Sequence, residues 1–227
     1  MTRIYLIRHG ETDWNRDGIC MGQLDVPLNE RGRRQAELTA ERLVHERLDV
    51  IYSSDLSRAV ETAKIIRERQ PHHPEIIQRP DLRELNYGCW QGLRREELEE
   101  RFPEAFSRGD PHRADPLDFK PQGGESLREL RERSIKAFHE ILELHRGEAV
   151  AVVAHGGVIR HIINYVLQRG APLLRDQEPE FVSFGFLVSN CGITHIAYEA
   201  EEEEWVLYTL NDTCHLQLSL MNVSVCK

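Results

Sequence analysis

The chain reads as an α/β fold on a mostly parallel central sheet, and three observations carry that reading. Short runs at 4–7, 49–52 and 149–154 have the length and composition of buried strands. Helix-patterned segments alternate with them, the order that builds parallel β-α-β units. The first and third runs each end in a histidine followed by glycine, at His9-Gly10 and His155-Gly156.

Taken in order, Ile4 to Ile7 form the first strand. Arg8 and His9 stand at its carboxyl end, and Gly10 permits a sharp turn. Ligands of open α/β sheets bind at that edge, where a cation and an imidazole suit an anion. Residues 13–30 make a long polar connection, of the kind that is often functional. Asn29 is expected to cap a helix reaching about Arg47, with Ala36, Leu38, Ala40 and Leu43 on its apolar stripe. After the strand at 49–52, Ser53-Ser54-Asp55 is expected to cap a helix from Leu56 to Arg69. Ile76-Ile77 suggests a third strand. A polar, helix-prone insert spans 93–108, and Pro111, Pro116 and Pro121 make 109–124 irregular. Glu125-Ser126 opens a long amphipathic helix to about His145. The clearest buried strand, 149–154, precedes a helix over 158–168. Segments 181–188, 192–198 and 205–210 are β-rich, and the acidic run 199–204 between the last two reads as a solvated hairpin turn. No linker splits the chain. It is expected to be one domain, 1–227, with residues of about 86–124 forming a small helical and irregular cap over the sheet.

A length of 227 residues is enough for a substantial core. The net charge of −9 argues against a general nucleic-acid binder and means that an anion site must be built from local arginines. No run approaches the roughly 18 apolar residues of a membrane span. The four apolar residues before Arg8 are too few for a secretory signal, so a cytoplasmic location is expected. The five cysteines form no Cys-x-x-Cys pair and read as reduced packing thiols.

Three chemistries compete for the histidines. A serine hydrolase would need a Gly-x-Ser-x-Gly elbow, which is missing. A zinc site would need a third ligand at suitable spacing and a motif such as His-Glu-x-x-His, also missing. Phosphoryl transfer uses more of the residues. Arg8 adjoins His9. Arg58 lies one turn into the helix after 53–55 and can reach back to the sheet edge. Glu84 follows a strand-like segment and can supply a proton. Arginine forks match phosphoryl oxygens bidentately. No Gly-x-x-x-x-Gly-Lys loop marks a nucleotide triphosphatase.

Residues Leu6 to Asn15, with Arg8-His9-Gly10-Glu11-Thr12 at their centre, resemble the signature of the histidine phosphatase superfamily, the phosphoglycerate mutase-like proteins. Residues Ser53 to Ala63 resemble its second arginine segment, and Leu82 to Gly92 its acid segment. Gly123 to Ser126, Ala154 to Gly157 and Leu210 to Leu216 also fit, in the family's order. The resemblance implies a three-layer α/β/α sandwich. It implies that His9 is the nucleophile that becomes phosphohistidine, and that Arg8, Arg58 and His155 hold the phosphoryl oxygens. Glu84 would protonate the leaving oxygen and then help activate water. Asn15 would reach the phosphate or nearby substrate, and the backbone of Gly156 would add a donor. No metal and no cofactor is implied. The expected partners are small phosphorylated metabolites such as phosphosugars, phosphoglycerate or α-ribazole phosphate, not nucleic acid or membrane. The fold leaves room for a homodimer through an exposed edge strand.

Within that family the acceptor is water in a phosphatase and a second substrate oxygen in a mutase. Cofactor-dependent mutases carry an Arg-Arg-Ser-Tyr-type stretch after the acid segment. Here Arg94-Arg95 is followed by Glu96 and Glu97, whose charge opposes a bisphosphate. Tyr87 and Gln91 lean toward the mutase pattern. The cap chemistry favours a phosphatase, with a mutase as the alternative and a non-catalytic binding protein of the same fold third.

Overall fold

The computed structural model describes residues 1–106, 117–170 and 185–221. Among them six strands make one sheet: β1 (Thr2–Arg8), β2 (Val50–Ser54), β3 (Glu75–Arg79), β4 (Ala149–Ala154), β5 (Ile193–Glu199) and β6 (Glu204–Asp212). Their order is β3-β2-β4-β1-β5-β6. The first four strands run parallel, β5 is antiparallel to β1, and β6 is antiparallel to β5. The helices are α1 (Asp13–Asp17), α2 (Glu30–Arg42), α3 (Ser57–Arg69), α4 (Arg95–Arg101), α5 (Pro103–Phe106), α6 (Leu127–Leu144), α7 (Gly156–Gly170) and α8 (Cys214–Met221).

Side chains alternate across a strand, so a central strand buried on both faces feeds two cores. Ile4 and Leu6 of β1 pack with Phe138 and Ile141 of α6 and with Ile159 and Ile163 of α7. Tyr5 and Ile7 face the opposite way, toward Ala40 of α2 and Ala59 and Ala63 of α3. The result is the expected three-layer sandwich. It also positions the site. β1 and β4 are neighbours, yet the chain leaves β1 toward α2 on one face and leaves β4 toward α7 on the other. That divergence opens a crevice at their carboxyl ends, the topological switch point where open α/β sheets bind ligands.

Several elements depart from expectation. α2 ends at Arg42 rather than near Arg47, because the chain turns inward so that Leu43 and Leu48 are both buried. Ser53-Ser54-Asp55 does not cap α3. Leu56 occupies the cap position without a side-chain bond, and the Ser57 N–H is taken instead by Asp25 Oδ1 at 2.8 Å. Asp55 is drawn off by Arg83, whose Nε donates to it at 2.7 Å, a charge-assisted bond that outcompetes a cap. Of the helix-prone insert, residues 95–101 and 103–106 form α4 and α5, with Pro103 opening the second; residues 107–116, the end of that insert and the start of the stretch expected to be irregular, lie outside the described residues. α7 begins at Gly156, two residues earlier than expected, which brings its first N–H groups to the sheet edge. Of the β-rich segment at 181–188, residues 185–188 form no strand and 181–184 lie outside the described residues. The acidic run joins β5 to β6 as an exposed hairpin turn, as expected.

Candidate active site

The first turn at the crevice is made rigid by backbone bonds. The His9 N–H donates to the Ala154 carbonyl at 3.0 Å, tying β1 to β4 at the edge. The Gly10 N–H donates to Thr62 Oγ1 at 3.0 Å, and that hydroxyl donates to the Arg58 carbonyl at 2.7 Å. Gly10 must be glycine, since a Cβ there would lie 2.4 Å from the Gly32 carbonyl oxygen. The His9 carbonyl accepts from Asn190 Nδ2 at 2.9 Å. The His9 ring is buried, and its Nδ1–H donates to the Gly10 carbonyl at 2.7 Å. That bond fixes the tautomer and leaves the Nε2 lone pair unprotonated.

Two guanidinium groups stand beside it. Arg58 is only 1% exposed despite its charge. Its Nη1 donates to the Leu24 carbonyl at 2.9 Å and its Nη2 to the Gly22 carbonyl at 2.7 Å, so the loop after α1 holds it. Arg8 Nη1 donates to the Val188 carbonyl at 2.7 Å. In both arginines Nε is buried with no acceptor in the protein. His155, wholly buried, has neither ring nitrogen paired, and its ring centre lies 5.0 Å from that of His9 at a 58° tilt. An unsatisfied buried polar group costs about 1–3 kcal/mol. A cluster of such donors at one crevice fits a ligand rich in acceptor oxygens.

Glu84 is placed by two backbone bonds. The Gly157 N–H donates to its Oε2 at 3.1 Å and the Leu85 N–H to its Oε1 at 2.9 Å. A Cβ on Gly157 would lie 2.3 Å from Glu84 Oε1, so the second glycine of His-Gly-Gly is what admits the carboxylate. Gly156 is less constrained, with a Cβ there only in ordinary contact with Arg8 Nε at 3.7 Å. The segment carrying Glu84 is pinned by Arg133 of α6. Its Nη1 donates to the Asp81 and Arg83 carbonyls at 2.9 and 2.6 Å, and its Nη2 to the Glu84 carbonyl at 3.0 Å. Glu125 holds that guanidinium in turn at 2.6 Å.

These groups share one electrostatic state. Burial, then the cations Arg58 and Arg8, hold His9 well below the usual histidine range. Burial comes first for His155 as well, with Arg58, His9 and Arg8 adding to it. Both imidazoles are therefore neutral near pH 7. Burial also pulls Arg58 down to about 10, partly offset by Glu84, and lowers Arg8. A dianion entering the crevice would reverse the sign of these Coulomb effects.

A cleft of about 360 Å³ opens onto the crevice, lined by Arg8, His9, Asn15, Arg58, Glu84 and Tyr87, with Trp90, Leu93 and Arg95 on the cap side. Asn15 Oδ1 accepts from the Thr12 N–H and from Asn190, which leaves the amide nitrogen as its free donor. All seven residues singled out from the sequence thus converge at one place, with His155 against His9 and Gly156 beside Arg8. Thr62, Asn190 and Arg133 were missed, and Gln91 was read only as a mark of the mutase pattern, not as an anchor. Gln91 Oε1 accepts from the Gln23 N–H at 2.8 Å, and Gln23 Nε2 donates to the Glu84 carbonyl at 3.0 Å. Gln91 thereby secures the loop that holds Arg58. Thr62 had a signal, a hydroxyl on the buried face of α3, whereas Asn190 and Arg133 had none. Among the described residues no three His, Cys, Asp or Glu side chains gather as a metal site.

The sequence profile of the histidine phosphatase superfamily (branch 1) matches residues 4–213. A metal-independent phosphoserine phosphatase of Arabidopsis thaliana is 38% identical, across 95% of this chain and 84% of its own. Phosphoglycerate mutase-like protein 4 of the same plant is also 38% identical, across 94% and 86%. Among solved structures, YhfR of Bacillus stearothermophilus superposes with a TM-score of 0.77 at 31% identity, across 95% of this chain and all of its own.

Proposed function

The chain belongs to the histidine phosphatase superfamily, and from that premise we propose that it is a metal-independent phosphomonoesterase acting through a phosphohistidine on His9. One observation carries the reading: the Nε2 lone pair of a tautomer-fixed imidazole sits among buried donors that have no protein acceptor. His9 Nε2 attacks phosphorus, and the bond from phosphorus to the ester oxygen breaks. Glu84, as the general acid, gives a proton to the leaving oxygen. Arg8, Arg58, His155 and the Asn15 amide hold the remaining oxygens, where charge must be spread in an in-line transfer. The Gly156 N–H, in the first turn of α7, is available to the same oxygens. Water then attacks the phosphohistidine, Glu84 takes its proton, the nitrogen–phosphorus bond breaks and inorganic phosphate leaves. Two easier steps replace one hard step.

The substrate is a small phosphorylated metabolite, and phosphoserine is the first to try given the Arabidopsis relative. The cleft volume favours a molecule of that size. A mutase is the second reading, favoured by the mutase-like relative and by Tyr87 in the cleft wall. Gln91 gives it no support, being committed to the loop that holds Arg58. Of the two cap arginines, Arg94 turns to the Asp17 carbonyl and Arg95 is paired with Glu99. Residues 86–106 and 117–124 serve as the cap of a single domain; the stretch 107–116 of the expected cap lies outside the described residues. The chain works in the cytoplasm; among the described residues no helix is long and apolar enough to cross a membrane. A homodimer is supported by the outer strand β6, whose Val206, Leu207, Tyr208 and Leu210 are exposed.

Phosphate release from a panel of phosphoserine, 3-phosphoglycerate, phosphosugars and α-ribazole phosphate, with and without chelator, tests the reading. Turnover undiminished by chelation, and faster than phosphoglycerate interconversion with 2,3-bisphosphoglycerate present, is the expected result. Interconversion far above phosphate release would assign the mutase.

A further inference from the structure

A second cavity of about 500 Å³ shares only Arg8 with the catalytic cleft. Its other wall is a face of α2 that presents Arg31, Arg34 and Gln35. Three guanidinium groups therefore surround it, against one carboxylate, Glu11, in a chain whose net charge is −9. Glu11 is already engaged, by Arg31 at 3.1 Å and by Asn29 Nδ2 at 3.0 Å. Arg34 pairs with Glu37 at 2.7 Å, but both side chains are about half exposed. Such surface pairs are worth about 0–1 kcal/mol and are readily exchanged. Neutral donors complete the wall. Gln35 uses its carbonyl on the Glu11 N–H, which leaves its amide nitrogen available. Ser189 Oγ accepts from Asn211, which leaves its proton to give.

We propose that this cavity is a second site for a small oxyanion of the phosphate type, and that its occupancy weakens substrate binding in the catalytic cleft. The coupling has a physical route. A bound anion neutralises part of the positive potential that Arg8 supplies to the cleft. The loop at 188–190 also borders the cavity while holding Arg8 through the Val188 carbonyl and His9 through Asn190. The sign follows from Coulomb's law, so the anion acts as an inhibitor that raises KM.

Sulfate is the probe, titrated at constant ionic strength with chloride as the balancing salt. Thermal melting should show two saturable components in the wild type. In the double variant Arg31→Gln/Arg34→Gln, on an exposed helix face, the second component should weaken about ten-fold or more, as loss of two charge-assisted contacts requires. Hydrolysis of p-nitrophenyl phosphate without sulfate should persist in it, and the rise of apparent KM with sulfate should change from curved, the mark of two sites, to linear, the mark of competition at the catalytic site alone. Arg58→Gln should do the reverse, losing the catalytic component and keeping the second. A double variant whose melting and inhibition curves superimpose on the wild type would overturn the proposal while leaving the phosphatase reading intact.

Discussion

The turns after β1 and β4 begin with the same local grammar, a strand, a histidine and a glycine, yet the protein treats the two histidines differently. The ring of His9 is tied to the Gly10 carbonyl, and its backbone to Ala154 and Asn190. The ring of His155 is equally buried but has no protein partner on either nitrogen. A nucleophile needs one protonation state and one direction of attack, so its tautomer must be fixed in advance. A group that binds oxygens gains from being able to take a proton when the anion arrives. The difference lies in what surrounds each turn, since the turns themselves are alike.

Swapping the losses is the strongest way to break this comparison. His9→Ala should abolish phosphohistidine formation and lower turnover on the order of 10⁴-fold or more, the scale of a deleted nucleophile. His155→Ala should cost about 10²–10³-fold, the scale of one lost oxyanion donor, and still form the phosphoenzyme. Acid-stable or acid-labile trapping is not needed to separate them; a single-turnover phosphate-release measurement with p-nitrophenyl phosphate, read beside phosphorus NMR of the denatured enzyme, does so. Equal losses, or a phosphoenzyme in His9→Ala, would erase the distinction.

The alternating β-α order and the His-Gly turns were legible in the sequence because strand burial and strand ends have local signatures. So were Arg8, His9, Arg58, Glu84 and His155, each standing in a recognisable segment. What was illegible depends on chain separation. Arg133 lies about fifty residues from the carbonyls that it holds, and no local pattern marks an arginine on an amphipathic helix as the anchor of another segment. Asn190 reaches His9 across 181 positions. The failed cap at 53–55 has the same origin, since Asp55 is claimed by Arg83, twenty-eight positions away. Local propensity was overridden there by a stronger charge-assisted partner.

A finer cut tests the glycines of the β4 turn. Gly157→Ala places a Cβ where Glu84 Oε1 now lies, 2.3 Å away, whereas Gly156→Ala meets only ordinary contact. Gly157→Ala should lower kcat on alkyl phosphates, which need a proton on the leaving oxygen, by about 10²-fold, within the range of general acid catalysis. On p-nitrophenyl phosphate, whose leaving group needs little help, the fall should be smaller, and Gly156→Ala should cost less on both. Equal losses for the two leaving groups would mean that the added Cβ disturbs the anion pocket rather than the acid.

The smallest expected effect concerns protons. His9 and His155 are held well below the ordinary value of 6.5, and burial with nearby arginines lowers His161 to about 4. Each folded value lies below the unfolded one, so the unfolded chain binds more protons as pH falls beneath about 6.5. Stability is then full above that pH and declines below it, by at most about 1.4 kcal/mol per pH unit for each histidine. Sulfate separates the site from the rest, because it remains a dianion throughout this range. Bound beside His155 it favours the imidazolium, so its stabilising effect should grow as pH falls from 7.5 to 5.5. His161 lies outside this effect, and no histidine is among the residues lining the second cavity. His155→Asn should flatten the pH dependence of the sulfate-induced rise in Tm. Were the flattening to appear in His161→Gln instead, the proton would belong to the packed interior, and His155 would be no more adaptable than His9.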